Sequence, residues 1–382
     1  MIGSQTIIDN LGTRPTIYLI LLLLLGALIR ILLFPLPFNQ DFADFIIDAQ
    51  NVACGGHLYH NPLPSGSKFL LDGVLYTYYP FAKPPLFVYM MIAAGYVSAF
   101  TGMPIAILGK AIIMLGDLGV SYLIYSLLLS MKLRERDCLS AMCLYLLNPF
   151  VIFVSAVSGK FDSIPLFFLL LALRNTENLK MPLCFGLSFA TKQFTLFMLP
   201  WFLLRLRNVK YILGSIMVFL IVLLPSIICD YGDLGNLLFA HTDKTPRGFS
   251  WMIVFANLPY DQMHMITSAI FSLYIVFLIL LAALVQITAY AYAALAFSSM
   301  IIFSAVVWEQ YLTWSIPFCS IIYASDKSRI SLLLLAAYSI AGLAVDPVNV
   351  TDRAALLVVN FMLLLLTSCF VAHSILRASK GH

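Results

Sequence analysis

Charge is what this chain lacks. Of its 382 residues only 10% are Asp, Glu, Lys or Arg, and there are only 6 histidines. A soluble globular domain carries about a quarter charged residues, so a water-soluble body is excluded as the bulk of the fold. The 7 cysteines lie far apart, with no Cys-x-x-Cys pair and no Cys/His spacing, which argues against a zinc module or a dithiol redox centre. They read as small core residues; only Cys54 and Cys229 fall where both could lie near the outer face, and a bridge between them stays open. No segment interleaves basic with aromatic residues, so the net charge of +4 does not point to nucleic acid. Internal repeats, low-complexity tracts and a separate soluble domain are also missing.

What fills the chain is apolar: 62% of residues are hydrophobic and the mean hydropathy is +0.96. Stretches such as Thr16–Leu36 and Ile266–Leu284 exceed the ~18 residues that mark a membrane span. The expected fold is an all-α polytopic membrane protein, one domain over 1–382, with about 11–12 transmembrane or half-depth helices. The first run is long enough to span and no small-residue cleavage site follows it, so it reads as a transmembrane helix rather than a signal peptide.

Charge placement predicts the topology. Cytoplasmic loops of membrane proteins are rich in Lys and Arg. Five clusters qualify: Lys132–Arg136, Arg174–Lys180, Arg205–Lys210, Lys327–Arg329 and the tail with Arg377 and Lys380. All lie on one side only if Ala82–Thr101 does not cross and Pro104–Leu129 does. Both termini are then cytoplasmic. The outer face carries a first loop over 37–103 and a second over 230–265. Between Met181 and Leu204 basic clusters flank both ends and Lys192-Gln193 interrupts the middle. Two half-depth helices meeting at Lys192 satisfy both facts, and broken backbone at membrane depth implies a cavity.

The polar residues on the outer side form distinct groups. Asp41, Asp44 and Asp48 recur at i, i+3 and i+7, one face of a helix, with Phe42, Phe45 and Ile46 largely on the other. This pattern predicts an amphipathic helix on the membrane surface. Its acids are either a solvated stripe or include a general base, for which Asp41, nearest the first span, is the best placed. Tyr76 to Leu86 is aromatic and proline-rich, a set of interface belt residues or a platform for a sugar ring. Lys160 and Asp162 stand at a helix-to-helix turn, where ordinary loop charges also occur. Lys192 is harder to dismiss, because a lysine at membrane depth is costly unless paired or hydrated. Asp117, Lys110 and Arg30 read as helix-holding groups.

Taken together these motifs resemble the GT-C superfamily of integral-membrane glycosyltransferases along most of the chain, from Asp41 to Tyr311. The acidic motif after the first span is matched by Gln40-Asp41-Phe42, and a Tyr-Pro-Pro-Leu-like turn by Tyr79 through Leu86 with an insertion. A Gly-Gln/His-Phe-Asp/Gln motif is matched by Gly159-Lys160-Phe161-Asp162, a Lys-Gln motif by Lys192-Gln193, and a His-Glu-[Arg/Lys]-Tyr-like motif by Trp308-Glu309-Gln310-Tyr311. Trp308 stands where His is usual, and Lys160 where Gln or His is commoner.

The resemblance implies an inverting transfer of a hexose, mannose or glucose favoured, from a polyprenyl- or dolichyl-monophosphate donor to a glycan, glycolipid or lipid-linked oligosaccharide. Asp41 would take the acceptor proton. Lys192, Gln193, Arg247, Lys83 and Lys160 would contact the donor phosphate or sugar, with Glu309 and Tyr311 bordering its pocket. Asp44, Asp162 and Tyr79 would position donor or acceptor. A divalent cation is allowed, with Asp44 and Asp162 as candidate ligands, but the chain shows no firm ligand set. The rival classes are a lipid-linked sugar flippase or small-molecule transporter, which would more often show half-repeats and sites at the bilayer midplane, and a non-catalytic glycolipid-binding subunit.

Overall fold

The computed structural model describes residues 5–55, 63–71, 73–79, 84–206, 208–230, 246–344 and 353–380. Lys83, the 231–245 part of the second outer loop and the Asn349–Thr351 sequon lie outside them.

The fold is helical, as the composition requires. Helix α1 (Gln5–Leu33) ends just ahead of Pro35 and Pro37, which cannot continue it. Asn39 caps α2 (Gln40–Ala53), its side chain accepting the Phe42 N–H at 3.3 Å. A short antiparallel hairpin, β1 (Lys68–Leu71) with β2 (Val74–Thr77), follows. Helix α3 (Leu86–Thr101) stops at Gly102 in the left-handed conformation. Helix α4 (Ile105–Ser130) is long enough to span a membrane, and α5 (Glu135–Leu146) follows. A 46° bend then leads into α6 (Pro149–Ile152) and a π-helical turn. Helices α7 (Ser163–Arg174) and α8 (Lys180–Thr191) have 12 residues each, about 18 Å at 1.5 Å per residue and short of the ~30 Å hydrocarbon core.

Among the described residues five helices are long and apolar enough to cross a membrane, six if the bent pair counts as one span, and five shorter apolar helices accompany them. The protein is an integral membrane protein. Leu21, Leu24, Leu28 and Leu32 are neighbours along one side of α1 and are 53–70% exposed. Backbone breaks where the sequence placed one: Lys192 is extended (φ −158°, ψ 135°), with α8 before it and a 3-10 segment, Gln193–Met198, after it. One expected boundary shifts. The helix expected from Ile266 starts at Tyr260, directly after the N-cap Pro259 and with Asp261 in its first turn, where an acid suits the helix dipole, so the loop expected over 230–265 is shorter. The last helix, Arg353–Lys380, runs into the basic tail, where Arg377 pairs with Asp326 at 3.4 Å.

The expected surface helix is the main correction. In α2 the residues Phe42, Ala43, Asp44, Phe45, Ile46, Asp48 and Ala49 are all buried. The apolar face packs in a cluster with Phe87, Met91, Ile113 and Phe161. The hairpin and the residue after it cover part of the polar face: the Thr77 N–H donates to Gln40 Oε1 at 2.8 Å, and Tyr78 Oη donates to Asp48 at 2.9 Å, while Asp41 stays 38% exposed. Amphipathicity marked two faces correctly, but protein rather than water covers the Asp48 end of the polar one.

Candidate active site

The turn from Ser158 to Asp162 is the structural centre of the site. Its position is set by glycine. Gly159 has φ +73°, and a Cβ there would lie 2.6 Å from Phe42 Cγ. Only glycine takes that backbone without strain and leaves room for the ring. Gly109 of α4 meets the far end of the same ring, its hypothetical Cβ 2.7 Å from Phe42 Cζ. The Asn39 N–H donates to the Ser158 carbonyl at 3.1 Å. The start of α2 is thus fixed on the turn, and Asp41 stands beside Lys160.

Two ion pairs result. Lys160 Nζ lies 2.6 Å from Asp41 Oδ2, with the lysine side chain 8% exposed and the aspartate 38%. Lys192 Nζ lies 2.6 Å from Asp162 Oδ1, both nearly buried. Asp162 Oδ1 also accepts the Trp314 indole N–H. The Lys192 ammonium sits over the rings of Phe161 (5.0 Å) and Trp314 (5.6 Å), a cation–π arrangement that strengthens once desolvated. Trp314 is held in turn by Phe194, stacked at 3.8 Å, and Tyr311, 4.2 Å away.

Glu309 and Tyr311 belong to the same electrostatic neighbourhood. Burial pulls the Lys160 ammonium down, but the carboxylates of Asp41, Glu309 and Asp162 outweigh it and raise its pKa above the ordinary value. Burial, followed by Asp162, Asp41 and Glu309, pushes the Tyr311 hydroxyl up. Arg247 enters through a parallel two-residue ladder. Its N–H donates to the Ala305 carbonyl at 2.9 Å, and β3 (Arg247–Gly248) pairs with β4 (Val306–Val307). This places Arg247 beside the segment that leads directly into Trp308 and Glu309.

The chain matches neither a known family model nor a curated protein. In fold it is similar to the crystal structure of ArnT from Cupriavidus metallidurans bound to undecaprenyl phosphate. The superposition has a TM-score of 0.50 at 12% identity, covering 94% of this chain and 78% of that one. The chain shares that all-helical, GT-C-like fold.

On that fold the expected residues separate into two groups. Asp41, Lys160, Asp162, Lys192, Glu309 and Tyr311 are brought together. Asp44 instead accepts from Gln40 Nε2 at 2.8 Å, within α2, and Tyr79 lies on the surface at 55% exposure. Gln193 is half-buried at the start of the 3-10 segment. Lys83 falls outside the described residues. Asp44 and Asp162 sit in separate networks, and among the described residues no three His, Cys, Asp or Glu side chains group to hold a metal ion. Cys54 is an exposed free thiol.

Sequence reasoning missed Trp314 and Tyr78. Trp314 looks like core filler, yet a buried indole N–H needs an acceptor, and Trp314 stands one turn after Tyr311. Tyr78 is fully buried while its neighbour Tyr79 is exposed; strand alternation was the available signal. The helix-holding reading of the remaining charges is supported. Arg30 Nε contacts Asp117 Oδ2 at 2.9 Å and Tyr145 Oη donates to Asp117 Oδ1 at 2.9 Å. Lys110 donates to the carbonyls of Phe34 and Leu36, at 3.0 and 2.8 Å.

Proposed function

We propose that this protein is an inverting glycosyltransferase that takes a hexose from a polyprenyl-monophosphate donor. The observation that carries the reading is the cluster Asp41–Lys160–Asp162–Lys192, two carboxylates and two ammoniums gathered at a helix N-terminus, a glycine turn and a helix break. The similarity to a fold seen with undecaprenyl phosphate in ArnT supports a lipid phosphate as the donor's handle.

The chemistry follows from the charges. The acceptor hydroxyl oxygen attacks the anomeric carbon while the bond from that carbon to the phosphate oxygen breaks. The electron pair leaves with the lipid phosphate, and the acceptor proton passes to Asp41. Asp41 is the more exposed partner of its pair, so an acceptor can reach it. A positioned base contributes roughly 10²- to 10⁴-fold. The phosphate needs cations in a low-dielectric site. Lys160 can supply one by turning from Asp41 to the incoming phosphate, which also frees the base when donor is present. Lys192 and Arg247 supply the others. Mannose or glucose as the sugar, and a glycan or glycolipid acceptor, rest on the motif resemblance.

The extracytoplasmic placement of the site rests on charge. The basic clusters meet one another away from it: Lys327 pairs with Asp137 at 2.7 Å, Arg134 with Asp137 at 3.1 Å, and Arg377 with Asp326 at 3.4 Å. A transporter reading fits less well, because no half-repeat is visible in the sequence.

The test is a transfer assay on purified protein in detergent or nanodiscs, with radiolabelled polyprenyl-phosphate mannose and glucose and a panel of glycan and glycolipid acceptors. Label appearing in acceptor, with release of polyprenyl phosphate, is expected. Label moved across vesicle membranes without transfer would replace the enzyme reading by the flippase one.

A further inference from the structure

A small cavity lies behind the site. Its lining includes Asp117, Tyr145, Val154, Ser155, Lys160 and Asp162. It therefore touches both the catalytic turn and the buried Arg30–Asp117–Tyr145 network. Its size is that of one water molecule.

The polar atoms around it are unbalanced. Asp162 Oδ2 is buried and accepts no hydrogen bond from the protein, although Oδ1 takes two donors. A buried carboxylate oxygen in that condition marks a site for a water or an ion. The hydroxyls of Ser155 and Tyr145, both in the cavity lining, spend their protons elsewhere, on the Val151 carbonyl at 2.9 Å and on Asp117 at 2.9 Å, which leaves their oxygens to act only as acceptors. Lys160 Nζ carries three N–H groups, one of them on Asp41. A water here can accept from Lys160, donate to Asp162 Oδ2, and donate its second proton to Tyr145 or Ser155.

We infer that a buried water in this cavity joins the two ion pairs into one network, Asp41–Lys160–water–Asp162–Lys192, with Tyr145 and Asp117 as positioning residues behind it. The inference rests on the glycosyltransferase reading for its consequence: the water keeps Asp162 satisfied, and so keeps Lys192 aimed, when Lys160 turns to the donor phosphate. Tyr145 and Asp117 then matter to donor binding although they touch no substrate.

Two variants and one direct observation test it. An experimental map at about 2 Å should show ordered density within hydrogen-bonding reach of Asp162 Oδ2. Val154→Ile adds a methylene at the cavity wall. In a dry cavity that filling is neutral or stabilising; here it displaces the water, so the variant should melt lower and bind undecaprenyl phosphate about tenfold more weakly. Tyr145→Phe should weaken the same affinity by a similar factor, measured on the folded fraction, which a merely structural role would leave unchanged. An empty cavity, together with a stabilised Val154→Ile of unchanged affinity, overturns the inference. If the parent protein itself neither binds undecaprenyl phosphate nor transfers sugar, the functional reading fails. The map and the sign of the Val154→Ile stability change still decide the water link.

Discussion

Lys160 Nζ and Asp41 Oδ2 stand 2.6 Å apart across 119 residues of sequence. The contact joins the helix after the first span to the turn ahead of α7, and it puts a cation directly on the residue best placed to act as base. Donor-free, the site neutralises itself. On the proposed mechanism, a donor phosphate that draws Lys160 away leaves Asp41 ionised and exposed at the moment an acceptor is needed.

Replacing Asp41 by Asn should therefore remove transfer and little else. The expected loss is about 10²- to 10⁴-fold in kcat, the contribution of a positioned base. Because Asp41 is 38% exposed, its ion pair is partly screened and the stability cost should stay within about 1 kcal/mol. Undecaprenyl phosphate affinity should hold or improve, since Lys160 is released. Normal turnover in purified Asp41→Asn would remove this carboxylate from the mechanism.

The raised pKa of Lys160 sets a pH expectation. A lysine whose folded pKa lies above its ordinary value of 10.5 contributes stability that is complete below the unfolded value and lost as pH rises through the folded one. The difference in melting temperature between the wild type and Lys160→Gln should thus be flat from about pH 7 to pH 9 and shrink only beyond the ordinary lysine range. A difference that collapses below about pH 9 would mean that the lysine titrates early and that the carboxylates around it do not hold its charge.

Much of this arrangement was legible in the sequence because membranes punish exceptions. A lysine inside an apolar stretch must be paired or hydrated, and Lys192 proved to be paired with Asp162. The order of the motifs, too, pointed to a fold in which Asp41 and Lys160 share a site. The cover over α2 was not legible. Helical periodicity says which residues share a face but not what lies on it, and the hairpin that buries Asp48 through Tyr78 is a long-range contact with no local signature. Asp44 illustrates the same limit of local pattern: it accepts from Gln40, one turn away in the same helix, a contact that the i, i+3, i+7 spacing of the acids does not foretell.

Gly159 offers a test of how the base is positioned. A side chain there meets two penalties: a left-handed backbone, about 1–2 kcal/mol for a non-glycine residue, and a clash with Phe42 Cγ at 2.6 Å. Gly159→Ala should destabilise by roughly 2–5 kcal/mol, combining that strain with the ~1–3 kcal/mol typical of overpacking, and should lower kcat by pushing the start of α2 away from the turn. Shrinking the ring in Gly159→Ala/Phe42→Leu should recover part of the stability, a coupling that a double-mutant cycle reads directly. Additive losses from the two changes would show that Phe42 does not rest on the turn.

Lys192 presents the hardest separation of folding from function, because its removal strands a charge. Asp162 is buried and would lose its cation, and breaking such a pair costs about 3–5 kcal/mol. Lys192→Met alone is then expected to be both unstable and inactive, which says little. Asp162→Asn combined with Lys192→Met removes both charges and leaves an amide oxygen for the Trp314 N–H, so most of the lost stability should return. Activity should not: without the ammonium the leaving phosphate is unsupported, and transfer should remain down by about 10²-fold or more, the size expected for losing one electrostatic stabiliser. The informative measurement is turnover of the double variant at a temperature where circular dichroism shows it folded. Recovery of turnover along with stability would reduce Lys192 to a structural counter-ion and leave Lys160 and Arg247 to hold the phosphate.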